Sequence, residues 1–419
     1  MQKSAPDVVQ TLTEAVYKSN FRSGIDTNSG VSYRYLSQSA NGPAWQYLVD
    51  SCCHSIMMAH IHPDHALSEF RTLIASQDER GFIGHIAFWG GGQFPGDIKY
   101  RIRSANYWRQ RHTALISPPL LAQTLERVSE VLGDSWIPTE FMDPLDRYHN
   151  WLAENRIRDS DGLLVIISPS ESTLDRSPVF DEVLGSPQKG LGLRLRGQFV
   201  DFRNALSNFD SRKLMDGNGF QVKDVLVNAL YADSLSTMAR LHRAQGRINV
   251  ANAYSTRSDL VVNSLVRKMW DRGRGAFFNL YGHQERRVTP LAIGSLVPLV
   301  LSNLPRDVVE TLIHKHLYNR DEFWLRFPIS SVAATESTFD PRGKNSGWRG
   351  ATSVFTNWLI WRGLQRQGFS GEAAQLGAMT LSMVAQSGLH RFYHPYNGQG
   401  IGRADSPVSG LSLDMRILS

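Results

Sequence analysis

Carboxylates, arginines and aromatic residues gather where this chain loses its helical period. Asp175 stands in the run Glu171-Ser-Thr-Leu-Asp175-Arg176-Ser-Pro178. A carboxyl in such a loop can give or take a proton. It can also simply cap a helix, because Asp before Arg-Ser-Pro suits that role. Asp50, before Ser-Cys-Cys-His54, and Asp405, before Ser-Pro407, are further carboxyls of the same kind. Arg349 and Arg391 are permanent cations in two later polar segments, beside Trp348 and Tyr393. His54, His60, His62, Asp64 and His65 are metal-ligating types, and Asp159 and Asp161 are spaced as in a calcium loop. The histidine segment reads as a continuing helix, and ligand types without closed geometry do not make a site. No metal is expected. No GxGxxG run follows a strand and no phosphate loop occurs, so no cofactor is expected either.

The elements that must position these residues are helical. Val8, Val9, Leu12, Ala15 and Val16 recur at three- and four-residue intervals. Residues 120–132, 145–157, 222–245, 258–270, 290–301, 307–317, 352–367 and 371–386 read the same way. Leu163–Ile167 suits a short buried strand or a helix end. Pro, Gly and polar clusters at 94–98, 136–144, 168–178, 186–199, 340–350 and 395–410 read as loops, where sites concentrate. The expectation is one all-α domain of ten to fourteen helices, compatible with paired helices closed into a toroid. No sequence period supports a solenoid.

Composition narrows the function. The chain has 419 residues, 42% hydrophobic and 20% charged, enough for a large core. The formal net charge of +6 is scattered, with small clusters at 101–111 and 272–287. Nucleic-acid binding needs a concentrated stripe and is not expected, whereas an anionic small substrate fits the arginines. No apolar run is long enough to span a bilayer, and the N-terminus lacks an apolar leader core. Cys52 and Cys53 are adjacent and poorly placed for a disulfide. A reducing cytoplasm is expected. Nothing in the sequence sets the oligomeric state.

Eight segments in order resemble one glycoside hydrolase group. They are Pro43-Ala-Trp-Gln46-Tyr47-Leu-Val-Asp50-Ser-Cys-Cys-His54-Ser-Ile56, Gly81-Phe-Ile-Gly-His85-Ile-Ala-Phe-Trp89, Thr113–Pro119, Asp159-Ser-Asp-Gly162, Glu171–Pro178, Phe220–Asp224 with Asn228, Phe327–Val332 leading to Trp348-Arg349-Gly350, Asn357-Trp358 and Gly363-Leu364, and Arg391-Phe-Tyr393-His-Pro395-Tyr-Asn-Gly398. The group resembled is that of the mannosylglycerate and glucosylglycerate hydrolases, and more distantly trehalases and processing α-glucosidase I. The resemblance implies an (α/α)6 barrel over residues 35–419, with residues 1–34 a helical segment packing on it. It also implies inverting hydrolysis of a sugar-like substrate.

An inverting glycosidase sets a general acid and a water-activating carboxylate on opposite sides of the scissile bond. By resemblance Asp175 is the acid and Asp50 binds sugar hydroxyls or the water. Tyr47, His85, Trp89, Glu171, Arg176, Trp348, Arg349, Tyr393 and Asp405 would line the substrate. The family's base, a glutamate, aligns with Arg391, and a guanidinium cannot take a proton from water. Other pocket positions change with it. Two tryptophans of the first segment become Tyr47 and Val49, a glutamine becomes Ser117, and a Gly and an Asn of the acid loop become Thr173 and Arg176. Three readings follow. The first is a hydrolase-like enzyme with an altered catalytic pair, its base drawn from Asp405 or Glu336. The second is a lyase, isomerase or cyclase using Asp175 or Asp50 as base. The third is an inactive binding protein.

Overall fold

In the computed structural model the structure describes residues 3–27, 29–40, 45–90, 112–133, 139–185, 191–342 and 347–416, with 191–194 as backbone only. The chain opens with α1 (Ala5–Asn20), begun by a capping box in which the Ser4 hydroxyl accepts from the Asp7 N–H and the Asp7 carboxylate accepts in return. A hairpin of β1 (Phe21–Ile25) and β2 (Ser32–Leu36) follows. Strand β3 (Trp45–Tyr47) runs into α2 (Leu48–Ala59), then α3 (Pro63–Ile74) and β4 (Ile86–Phe88), which pairs with β3. Next come α4 (Leu121–Leu132), α5 (Met142–Arg156), α6 (Leu191–Leu206) and α7 (Ser211–Asp216). The long pair α8 (Val225–Ala244) and α9 (Ile248–Ser264) precedes α10 (Arg306–Thr311), α11 (Val354–Arg366) and α12 (Ser370–Ser387). The 3-10 segments Ile293–Val300 and Pro407–Met415 and the π-helical turns Leu265–Met269 and Leu312–Leu317 are further helical pieces.

These elements close a ring. α2 packs on α4, α4 on α8, α8 on Ile293–Val300, that segment on α11, α11 on Pro407–Met415, and the last back on α2. Outside this inner layer α3 covers α2, α9 covers α8, α12 covers α11, and α1 covers Pro407–Met415. The result is an (α/α)6 toroid, closed by the two chain ends. Every residue of α2 is buried, as a helix walled on all sides must be.

Several sequence expectations are corrected. The sequence predicts loop over 186–199; 186–190 lie outside the described residues, and from Leu191 the chain is helix α6. Its leucines, arginines and glutamine favour helix, and the Asp201 and Asn204 side chains anchor it to Ser168 and the Ile167 carbonyl. The loop expected through 144 ends earlier, because Met142 starts α5 with Pro144 in its first turn, where a missing N–H costs nothing. The stretch 290–301 is a 3-10 segment rather than an α-helix, with Pro298 inside it. Leu163–Ile167 is extended, bridging Ile157 to Leu164 and Ile166 to Val222. Residue 222 is therefore strand, and α8 starts only after Asp224 caps it by accepting from the Val227 N–H.

Candidate active site

Asp50 occupies the first turn of α2, where unpaired N–H groups favour negative charge. Its side chain is buried, and Oδ2 accepts from Gln38 Nε2 and, at 3.3 Å, from Arg391 Nη1. Arg391 precedes the two-residue strand Phe392–Tyr393. The Asp50 carboxylate first, against burial, and then Asp175 and Tyr47 raise the guanidinium above its already high ordinary pKa. Those four residues therefore share one electrostatic site, and its cation is fixed.

The loop that presents Asp175 is held from behind. The Glu171 carboxylate is fully buried. It accepts two bonds from the Arg156 fork at 2.6 and 3.0 Å, and the N–H groups of Ile116 and Ile167, both at 2.8 Å. A charge with this many donors is satisfied inside the protein, so Glu171 ties three segments together and offers the pocket no free oxygen. The chain then turns through Thr173 at φ 68°, and Leu174 plugs into the core. Asp175, 42% exposed, emerges with Arg176 Nε 4.0 Å from its carboxylate.

The other anticipated residues divide. Asp405 accepts from the Ser39 hydroxyl at 2.9 Å, and that hydroxyl accepts from Arg403 at 2.7 Å. Asp405 also bridges to Leu389, two residues before Arg391. The segment Gln38-Ser39 thus links Asp50 to Asp405. Gln38, Ser39 and Arg403 belong to no motif and carry no periodic signal, which is why sequence reasoning missed them. Glu336, the other substitute base considered, accepts from the Leu291 N–H at 2.8 Å and pairs with Arg274.

Tyr393 is buried, donating its hydroxyl to the Gly388 carbonyl at 2.7 Å. Trp348 is buried edge-on against Phe392, and Arg349 pairs with buried Asp181. His85 is buried against the Thr113 hydroxyl. Trp89 donates to Gln46 and stacks on Tyr33, over a groove of about 610 Å³ that also takes in residues 75–80. Tyr393, Trp348 and Arg349 are thus buried with partners of their own, and Trp89 borders the groove lined by residues 75–80. Pro43 and the 101–111 cluster lie outside the described residues.

The histidines find protein partners. His54 and His65 both bond to buried Glu69, at 3.0 and 2.9 Å, and His60 bonds to Asp414 at 2.8 Å. Asp159 and Asp161 meet Glu285 closely enough to share a cation. The Lys223 ammonium takes that place, contacting Asp159 at 2.6 Å, Asp161 at 2.5 Å and also Glu285.

With the toroid and this site in view, known proteins define the class. Residues 43–407 match the mannosylglycerate hydrolase MGH1-like glycoside hydrolase domain, and the chain belongs to that family. It is 25% identical over 387 residues to the mannosylglycerate hydrolase of Thermus thermophilus, covering 85% of this chain and 90% of that one. It is 24% identical over 396 residues to the glucosylglycerate hydrolase of Mycolicibacterium hassiacum, covering 84% and 87%. The crystal structure of a Thermus thermophilus mannosylglycerate hydrolase in complex with glucose superposes with a TM-score of 0.80 at 22% identity, over 97% of this chain and 99% of that one. The neutral trehalase of Saccharomyces cerevisiae gives 0.62 at 14% identity, over 97% and 80%. The fold and the distant likeness to trehalase are thus as the motifs implied. No described helix is long and apolar enough to cross a membrane.

Proposed function

We propose that this protein cleaves a glycosidic bond of a small, sugar-like substrate, with Asp175 delivering a proton to the leaving oxygen. The observation that carries this reading is the exposed Asp175 carboxyl on a rigid loop, set in one electrostatic site with Asp50, Tyr47 and Arg391. The nucleophile side departs from the family. Arg391 stands where the base is expected and is bonded to Asp50, so neither is free to deprotonate water. Direct hydrolysis would draw its base from Asp405, which carries no ion pair within 4 Å among the described residues. That same Arg391–Asp50 pair favours a second reading, in which Asp175 acts as base in a non-hydrolytic reaction.

The test is turnover of glucosylglycerate, mannosylglycerate, trehalose and α-linked disaccharides, with Asp175→Asn and Asp405→Asn alongside. General acid catalysis contributes about 10²–10⁴-fold, so Asp175→Asn should lose at least about 10²-fold while keeping its fold, the side chain being partly exposed and the substitution isosteric. Turnover undiminished in Asp175→Asn would sink the assignment. No turnover of any glycoside would pass the weight to the second reading.

A further inference from the structure

The nucleophile side of the site has a specific geometry. A guanidinium carries five N–H donors. Among the described residues Arg391 uses one of them, on Asp50 Oδ2 at 3.3 Å. Its side chain remains 37% exposed. Asp50 therefore holds the planar fork while leaving four donors without an acceptor among those residues, an arrangement suited to receiving an oxyanion through two parallel bonds.

An inverting displacement needs a nucleophile on the side of the sugar opposite the acid. Water there needs a base, and Arg391 cannot be one. Phosphate needs none, because at neutral pH it is already an anion. We infer that Arg391 binds inorganic phosphate as the attacking group, making the protein an inverting phosphorylase of a small glycoside. This rests on the reading of Asp175 as proton donor.

The step balances without any further reactant. An oxygen of hydrogen phosphate forms the bond to the anomeric carbon as the bond to the leaving oxygen breaks. Asp175 protonates the leaving oxygen, and the proton of hydrogen phosphate restores Asp175 through solvent. Glycoside and phosphate become a sugar 1-phosphate of inverted configuration and a free alcohol. No electrons are exchanged. A reaction that consumes sugar 1-phosphates would follow it.

Two measurements test this on the full-length protein. In the first, titration of inorganic phosphate is followed by calorimetry and by the thermal midpoint. Arg391→Met should weaken binding at least tenfold. Arg391→Lys, which keeps the charge but loses the fork, should fall between, and circular dichroism checks that both fold. In the second, phosphorus NMR follows the glycoside panel with and without phosphate. It also follows a panel of α- and β-aldose 1-phosphates with glycerate or glucose as acceptors. Phosphate-dependent sugar 1-phosphate, or its consumption in reverse, is the expected result, and Asp175→Asn should bind phosphate without either. Free sugar formed equally in phosphate-free buffer overturns the inference while sparing the proposed function. Phosphate binding that is absent or indifferent to Arg391 overturns it as well. Phosphate bound through Arg391 with no turnover of any glycoside or sugar 1-phosphate overturns both.

Discussion

Two residues of the site depart from the motifs they resemble. Arg391 stands where the resembled motif has a glutamate, and its guanidinium is paired with Asp50. Thr173 is the subtler change. It sits at φ 68°, a left-handed conformation that a Cβ strains by about 1–2 kcal/mol. The related motif has glycine there. Thr173→Gly relieves that strain but adds chain entropy to the unfolded state, at about 0.5–1 kcal/mol. The variant should therefore be as stable as wild type or more so, by up to ~1 kcal/mol in urea unfolding. A loss of more than about 1 kcal/mol would mean that the threonine side chain, rather than the turn, holds the acid loop.

At the scale of elements, the loop that presents Asp175 rests on a buried ion pair as well as on its own hydrogen bonds. The Glu171 and Arg156 side chains are both buried, and Glu171 also ties in the backbone of residues 116 and 167. Removing one partner of such a pair leaves an uncompensated charge, at about 3–5 kcal/mol. Glu171→Gln should lower the unfolding free energy by that amount and depress activity by loosening Asp175. Activity lost with stability intact would instead place Glu171 in direct contact with substrate. The same scale explains the misread helix. α6 turns polar Asp201 and Asn204 inward and leaves Leu195, Phe199, Phe202 and Leu206 exposed. This inverts the pattern from which amphipathic helices are recognised.

At the scale of the whole molecule, closing the ring buries ionisable groups that answer to pH in opposite directions. Burial pushes His149, on α5, down to about 4. The unfolded chain binds that proton first, so stability falls as pH drops from about 6.5 to about 4. Burial pushes Asp224, the cap of α8, up to about 6, against donation from Val227 and Asn279. Here the folded state binds the proton first, so stability is lost as pH rises from about 3.8 to about 6. Each is worth about 3 kcal/mol at full effect, so they offset between pH 4 and 6. Asp224→Asn keeps the cap but removes one arm. Its urea midpoint should fall more steeply from pH 6 to 4 than that of wild type. Equal slopes would show that the two groups do not titrate as their burial implies. Below pH 4 both proteins should lose stability together. Asp414 is opposed by burial but held at about 2 by His60, Arg127 and Trp358, and it must then be protonated.

The sequence by itself determined the helical class and the family. A 3.6-residue period is local, ordered motifs survive as strings, and Arg391 is visible wherever its motif is. It misjudged α6, because glycine and polar residues read as breakers until a tertiary partner offsets their cost, and it read 293–300 as α-helix, because apolar spacing over two turns does not distinguish a 3-10 segment from an α-helix. Only the tertiary structure decided which motif residues meet. Glu171 and Tyr393 share motifs with Asp175 and Arg391, yet both are buried with bonding partners inside the protein. Gln38, Ser39 and Arg403 share none, yet they join Asp50 to Asp405. Side-chain direction and the satisfaction of buried charges depend on neighbours more than three hundred residues apart in the chain, as Arg391 and Asp50 are. No local pattern encodes that pairing.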